Sequence, residues 1–333
     1  MDLSVQNLNE TLEQADYRVK AGAHSQSRVW PTGFTPLDEY LSGGFRAGDL
    51  ILLGGAQGLG KTTLMMQVAR NVARSGRAVL VFSYEHDQQT SLIRLVAMEA
   101  GIIGGADAPS VQRIRHAFEA TDGMGYGLAQ RLADTAGGAE AIEIVREYAD
   151  RLAVHRSTGS STGLEIIAET IEKVRADTGM SPLVVVDYLQ KVPTPGERLD
   201  EADRTTVVTE GLKDLALDHE VPVVAIVASD KDGIGGGKRM RVNHFRGSSA
   251  LAYEADTVLV LNNKADIVAR HHLVYNLQNV DEYKNWAVMT IEKNRNGLNG
   301  VDLEFQKLFA QSRYDQNGRV VKEQLTDERV FTE

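Results

Sequence analysis

The chain contains no cysteine among its 333 residues. That excludes a disulfide framework and any thiolate metal site. No apolar run is long enough to span a membrane. Met1-Asp2-Leu3-Ser4 places no basic region ahead of an apolar one, so a cytoplasmic protein is expected. Positive charge is not in excess either. A net charge of −10 and a pI of 5.4 argue against a non-specific nucleic-acid coat. A local basic channel stays open, because charge acts only over about 10 Å in salt. There is no internal repeat and no low-complexity tract. No histidines stand at metal-ligand spacing, and His271-His272 reads as an exposed pair. What remains is an ordinary globular composition, 42% hydrophobic, long enough for one large α/β domain or two small ones.

Against these absences stands Gly55-Ala56-Gln57-Gly58-Leu59-Gly60-Lys61-Thr62, which fits G-x-x-x-x-G-K-[ST]. Glycines let the backbone curl so that successive N–H groups face phosphate oxygens. Gly55, Gln57, Gly58, Gly60, Lys61, Thr62 and Thr63 form the candidate phosphate-binding set. Lys61 is expected to reach the β- and γ-phosphates, and the Thr62 hydroxyl to ligate Mg²⁺, a hard cation that prefers oxygen. The flanks agree with the motif. Leu50 to Leu53 read as a buried strand, and Leu64, Met65, Val68, Ala69 and Val72 recur at helical spacing before Gly76. Strand, glycine loop and helix together aim a helix N-terminus at an anion.

Two acids follow buried strands. Ala78 to Tyr84 end at Glu85, and Leu183 to Val186 end at Asp187. In an open parallel sheet, ligands sit beyond the carboxyl ends of strands. Glu85 is therefore placed to orient an attacking water, and Asp187 to hold Mg²⁺ through its water shell.

The rest of the chain supplies context. Residues 3–20 predict an amphipathic helix, followed by a small, polar linker from Ala21 to Ser27. Thr35 and Pro36 predict the cap and first position of a short helix ending at Gly43-Gly44. Residues 102–150 read as short surface helices with loops. Leu152 to His155 predict a strand, Thr162 a capping box for a helix to Thr178, and residues 203–219 a further helix. Val221 to Val227, Asp256 to Leu261 and Ala287 to Ile291 predict strands, the last turning into an alternating strand from Val301 to Phe305. A glycine-rich basic loop carries Lys238, Arg239 and Arg241, then Arg246, Gly247 and Ser248. Such a loop can grip a phosphate backbone, or simply be solvated. The polar tail from about Asp315 is expected to be loosely ordered.

The ordered motifs resemble the C-terminal motor domain of DnaB-type replicative helicases. The residues that carry the resemblance are Pro31 to Asp38, Gly44 to Leu50, the P-loop, Phe82-Ser83-Tyr84-Glu85 and Val185 to Gln190. Farther on are Val221 to Ala225, Arg246-Gly247-Ser248 with Ala255-Asp256, and Lys293-Asn294-Arg295-Asn296-Gly297. The resemblance implies a RecA-like P-loop core, a mostly parallel sheet with helices on both faces and a C-terminal antiparallel hairpin. It divides the chain into a docking helix and linker (1–27), an ATPase domain (28–314) and a polar tail (315–333). It implies ATP and Mg²⁺ as cofactors, with Lys61 and Glu85 catalytic and Thr62 and Asp187 on the metal. Lys293 and Arg295 are implied to reach the γ-phosphate of a neighbouring subunit. The partners implied are further copies of the chain in a ring, usually a hexamer, and single-stranded DNA held by Arg246, Gly247 and Ser248. The family's N-terminal, primase-recruiting domain has no counterpart in this sequence. Where the family carries Ser-Gln after its fourth core strand, this chain has Val227-Ala228. The Gln links γ-phosphate to DNA loops, and an alanine side chain cannot. That departure keeps a second reading open: a RecA/KaiC-like ATPase that switches its assembly or a protein partner without moving on DNA.

Overall fold

The computed structural model describes residues 7–22, 28–194, 199–229, 238–247, 249–274 and 277–327. Along the chain run helix α1 (Leu8–Ala21), strand β1 (Val29–Trp30), α2 (Thr35–Tyr40), β2 (Phe45–Arg46), β3 (Leu50–Gly55), α3 (Lys61–Arg74), β4 (Val79–Ser83) and α4 (Gln88–Gly104). There follow α5 (Val111–Phe118), α6 (Leu128–Arg131), α7 (Gly138–Tyr148), β5 (Leu152–Arg156), α8 (Leu164–Thr178), β6 (Leu183–Asp187), α9 (Glu201–Asp218) and β7 (Val223–Ile226). The last part holds α10 (Ala250–Glu254), β8 (Thr257–Asn263), α11 (Lys264–Ile267), α12 (Arg270–Val274), α13 (Leu277–Lys284), β9 (Trp286–Asn294), β10 (Val301–Leu308), β11 (Arg313–Tyr314) and β12 (Arg319–Val320).

The apolar runs of β3, β4, β6 and β7 are buried along their whole length. A strand buried on both faces needs helices above and below it, which is the condition for a parallel sheet. The order is β5-β4-β6-β7-β3-β8, all parallel, extended by antiparallel β9 and β10, with β11 and β12 on β10. Side chains alternate between the faces with the period of two that strands impose. Ile51, Leu53, Val79, Val81 and Val185 join α3, α4 and α7 in one core layer. Leu50, Leu52, Leu80, Val184 and Val186 join α8, α9 and α10 in the other. Strand β3 lies between β7 and β8, so the loop that follows it leaves from the middle of the carboxyl edge.

Several expectations are corrected. Residues 102–150 are not merely superficial: Ile114, Leu132, Ile142, Val145 and Tyr148 are buried in the same core layer as α4. Thr35 does not cap α2. It lies inside the helix, and the cap position, Phe34, makes no side-chain bond. Asp38 gathers the preceding turn instead, accepting from the Thr32 N–H (2.8 Å), the Thr32 hydroxyl (2.7 Å) and the Gly33 N–H (2.9 Å). Two carboxylate oxygens satisfy three donors that one hydroxyl could not. Thr162 likewise accepts from the Thr158 N–H at 3.2 Å, and α8 starts from Gly163 without a capping box.

The tail also differs from expectation through Asp327. β12 pairs with β10, Glu323 pairs with the buried Lys264 at 2.9 Å, and the Asp327 carbonyl accepts from the Arg239 N–H at 2.8 Å. Of the predicted N-terminal helix, positions 3–6 lie outside the described residues; the rest is present as α1, capped by Asn7, which accepts from the Glu10 N–H at 3.0 Å. None of its residues is buried, and Leu8 and Val19 are 85% and 80% exposed. Among the described residues no helix is long and apolar enough to cross a membrane. The linker positions 23–27 lie outside the described residues.

Candidate nucleotide site

Three strand ends build the site. β3 runs into the glycine loop, whose backbone requires its glycines at two positions in particular. Gly55 has φ 152°, and a Cβ there would lie 2.9 Å from the Leu261 carbonyl oxygen on β8. Gly60 has φ 72°, and a Cβ there would meet the Phe309 ring at 2.7 Å. Phe309 stacks edge-on with Tyr314, 5.3 Å between centroids, and the Tyr314 hydroxyl donates to the Leu59 carbonyl. The C-terminal antiparallel layer thus buttresses the loop from outside.

β4 and β6 are paired in register Ser83 to Asp187, and the Tyr84 N–H donates to the Asp187 carbonyl at 2.9 Å. That pairing sets Glu85 beside Asp187. Asp187 accepts from the Thr62 hydroxyl at 2.7 Å. Its carboxyl is pushed up to about 6, first by burial and then by Glu85, against the lowering effect of the Thr62 bond, Arg94 and Lys61. Lys61 Nζ donates to the Gly55 and Ala56 carbonyls at 2.6 and 3.0 Å. Burial lowers its pKa, while Asp187 and Glu85 oppose the shift. The loop, Lys61, Thr62, Glu85, Asp187, Ala228 and Phe309 line one cavity of about 480 Å³.

Two further residues reach this cavity unannounced by any motif. Arg94 lines it from α4, and its Nη2 donates to His86 Nε2 at 3.0 Å. Burial, then the guanidinium, lowers the His86 pKa, which favours the neutral imidazole, the form that can accept that bond. One sequence signal was present: Arg94 and Glu99 are the only charged residues in the seventeen of α4. Glu99 proves structural, forming a buried two-bond pair with Arg70 at 2.7 and 2.6 Å.

Lys293 and Arg295 lie elsewhere. Lys293 Nζ donates to the Ala252 and Tyr253 carbonyls, both at 2.9 Å, and Arg295 Nη2 to the Tyr253 carbonyl at 3.0 Å. Arg295 Nη1 also meets Asp256 at 3.1 Å. The pair therefore grips the C-terminal end of α10, where carbonyls lack helical partners.

The candidate nucleic-acid residues divide. Arg246 is half-exposed and forms a two-bond pair with Glu201, at 2.6 and 3.0 Å. Gly247 has φ 128°, with Thr205 against it. Lys238 is exposed. Ser248 lies outside the described residues, as do 230–237. Arg239 and Arg241 are corrections. Arg239 is buried, donates to Thr290 at 2.8 Å and pairs with Asp302. Arg241 pairs with Glu292 at 3.0 Å and Asp327 at 2.6 Å. Arg239 is enclosed and has no face left for a phosphate backbone, whereas Arg241 stays partly exposed but is held between two carboxylates.

Among the described residues no group of three His, Cys, Asp or Glu could hold a metal ion. Magnesium does not need one, since it keeps several waters and binds one or two carboxylates together with substrate phosphates. The Thr62 hydroxyl and the Asp187 carboxylate, side by side at the phosphate loop, fit that requirement.

A parallel sheet with a glycine loop at its central carboxyl edge, and acids on two neighbouring strands, defines a P-loop nucleotide-binding fold of the RecA-like kind. The chain belongs to the DnaB-like helicase C-terminal domain family, whose profile matches residues 30–314. It is 28% identical over 311 residues to the replicative DNA helicase DnaB of Haemophilus influenzae, covering 92% of this chain and 59% of that protein. It is 26% identical to the DnaB of Geobacillus stearothermophilus over 84% of this chain and 55% of that one. The chain thus spans little more than half the length of these relatives. Among solved structures, one ATPase domain shares the fold with a TM-score of 0.72 at 19% identity, covering 93% of this chain and 99% of that one. A DnaB-like replicative helicase studied with primase gives a TM-score of 0.67 at 18% identity, covering 93% of this chain and 67% of that one.

Proposed function

We propose that this chain is an ATP-driven DNA motor of the DnaB type, working as a ring with nucleotide held between subunits. The observation that carries the reading is the convergence of Lys61, Thr62, Glu85 and Asp187 on one cavity in a member of a helicase family. The Gly55 and Ala56 carbonyls are neutral acceptors, so phosphate oxygens are the stronger partners for Lys61 Nζ. The loop N–H groups and Lys61 hold the phosphates. Glu85 accepts a hydrogen bond from the attacking water and orients it in line with the γ-phosphorus. Magnesium, when bound at Thr62 and Asp187, neutralises charge on the transferred phosphoryl group. Arg295, with Lys293, supplies positive charge to the γ-phosphate of a neighbouring subunit. Arg246 and Gly247 contact the DNA backbone.

The test is ATP hydrolysis measured while single-stranded DNA is titrated in, at low and moderate salt. The proposal expects saturable stimulation that weakens with salt, as phosphate contacts release counterions. A rate indifferent to DNA sinks it and favours the partner-switching ATPase. That reading draws support from the internal pairing of Arg239 and Arg241, which shrinks the basic surface available to DNA.

A further inference from the structure

Residue 228 is an alanine, so its side chain makes no polar link between the nucleotide pocket and the Arg246 loop. Its backbone makes that link instead. Ala228 lines the cavity one residue past Val227, whose N–H donates to Leu53 of the P-loop strand at 2.9 Å. The Ala228 carbonyl accepts from the Arg246 N–H at 2.9 Å. The return path runs through Gln190, three residues beyond Asp187 in the turn Leu189–Lys191. Its Oε1 accepts from the Ala228 N–H at 3.1 Å, and its Nε2 donates to the Arg246 carbonyl at 2.8 Å. A side-chain amide offers an acceptor and a donor on one planar group, so one glutamine can make both bonds at once. The residue before Arg246 closes the contact from below. Phe245 lies so near the P-loop strand that a Cβ at Gly54 would fall 1.9 Å from its ring.

We infer that Gln190 is a positioning residue that couples the nucleotide pocket to the Arg246 loop. The segment carrying Asp187, the end of β7 and the loop then move as one hydrogen-bonded unit. A shift of Asp187 with bound nucleotide reaches Arg246 through two bonds of one side chain, without a polar group at 228. This rests on the DNA-motor reading, and deepens it.

The test compares unaltered protein with Gln190→Met, which keeps the shape and loses both bonds, and Gln190→Glu, which keeps only the acceptor. ATP hydrolysis is followed against oligo(dT), with melting temperature recorded for each protein. Basal rate and KM for ATP should stay within about two-fold, while maximal DNA stimulation falls at least about five-fold in both variants. A purely structural brace would lower melting temperature and basal rate together and leave the stimulation ratio unchanged. An unchanged ratio in the variants, with unaltered protein stimulated, overturns the inference alone. Unaltered protein that ignores oligo(dT) overturns the inference and the motor reading together. Should the variants fail to fold, hydrogen exchange in the unaltered protein decides. A non-hydrolysable ATP analogue should change protection at residues 245–247 along with the P-loop. A change confined to the P-loop overturns the inference.

Discussion

Asp187→Asn should make the protein more stable while it slows the proposed ATP hydrolysis. The carboxyl of Asp187, 3% exposed, is pushed from an ordinary 3.8 up to about 6, chiefly by burial. The folded state therefore holds this proton more tightly than the unfolded state, and stability falls as pH rises between the two values. The difference corresponds to a penalty of about 3 kcal/mol, complete above pH 7 and below about 1 kcal/mol at pH 4. Asparagine has no charge to bury, and its carbonyl can still accept from Thr62. Asp49, also raised to about 6 by burial and by Asp256, titrates in both proteins and cancels in the comparison. For a chain of this length, about 3 kcal/mol amounts to a melting temperature higher by about 4 °C at pH 7.5. The gain should shrink steadily in buffers down to pH 4. Magnesium with a non-hydrolysable ATP analogue should narrow the gap, since the charged carboxylate then has a partner. Hydrolysis in the variant should fall by about 10–100-fold or more. An asparagine variant less stable than the parent at pH 7.5, or a gain independent of pH, would refute this account of the site.

Glu85→Gln should bind a fluorescent ATP analogue normally while hydrolysis falls by about 10²–10⁴-fold; weakened binding of similar size would remove Glu85 from the catalytic role. Mixing Arg295→Ala with Lys61→Ala protein should restore part of the activity through composite sites, and no recovery at any ratio counts against shared sites. Arg239→Met strands Asp302 and should destabilise the fold by about 3 kcal/mol in urea titrations. Arg246→Ala should leave stability nearly unchanged and lower the salt slope of single-stranded DNA binding by about 0.7; equal effects of the two arginines on DNA affinity would contradict their different burial. Deleting residues 1–22 should reduce the mass of the assembly in light scattering, and an unchanged mass would show that α1 does not join subunits.

The sheet and the phosphate loop are legible because their signals are local. An apolar run followed by an acid fixes a strand and its carboxyl end within a few residues. Arg239 misleads for the opposite reason. Its partners, Thr290 and Asp302, are 51 and 63 residues away, and nothing near Arg239 announces them. The tail misleads in the same way, since Glu323 is ordered by Lys264 and not by its own neighbours. Thr162 satisfies a capping pattern, but its hydroxyl is taken by the Thr158 N–H, and Thr35 falls one residue inside α2, past the cap position. Residues 102–150 carry apolar side chains at helical spacing between many glycines, and only the outer flank of α4 shows why they are needed there.

The placement of Lys293 and Arg295 means that any nucleotide they serve must be held by another copy of the chain. β9 runs antiparallel to β8, with Asn294 opposite Thr257, and Thr257 opposite Ile51 at the start of β3. The Arg295 N–H donates to the Asp256 carbonyl, and the Asp256 carboxylate accepts from the Leu50 N–H. The cationic pair thus stands at the amino edge of the sheet, while the phosphate loop leaves the carboxyl edge. Six residues of β3 separate them, about 15–20 Å of strand, farther than an arginine side chain extends. A chain can offer one nucleotide its loop or its arginine, and not both. The same arginine holds the end of α10, a helix that starts three residues after Gly247. The loop at Arg246 is therefore joined to its own pocket through Gln190 and, through α10, to the cationic pair that the proposed ring would turn toward a neighbour. If the proposed ring holds, two nucleotides would sense the same stretch of DNA by different routes, one through Gln190 and one through α10.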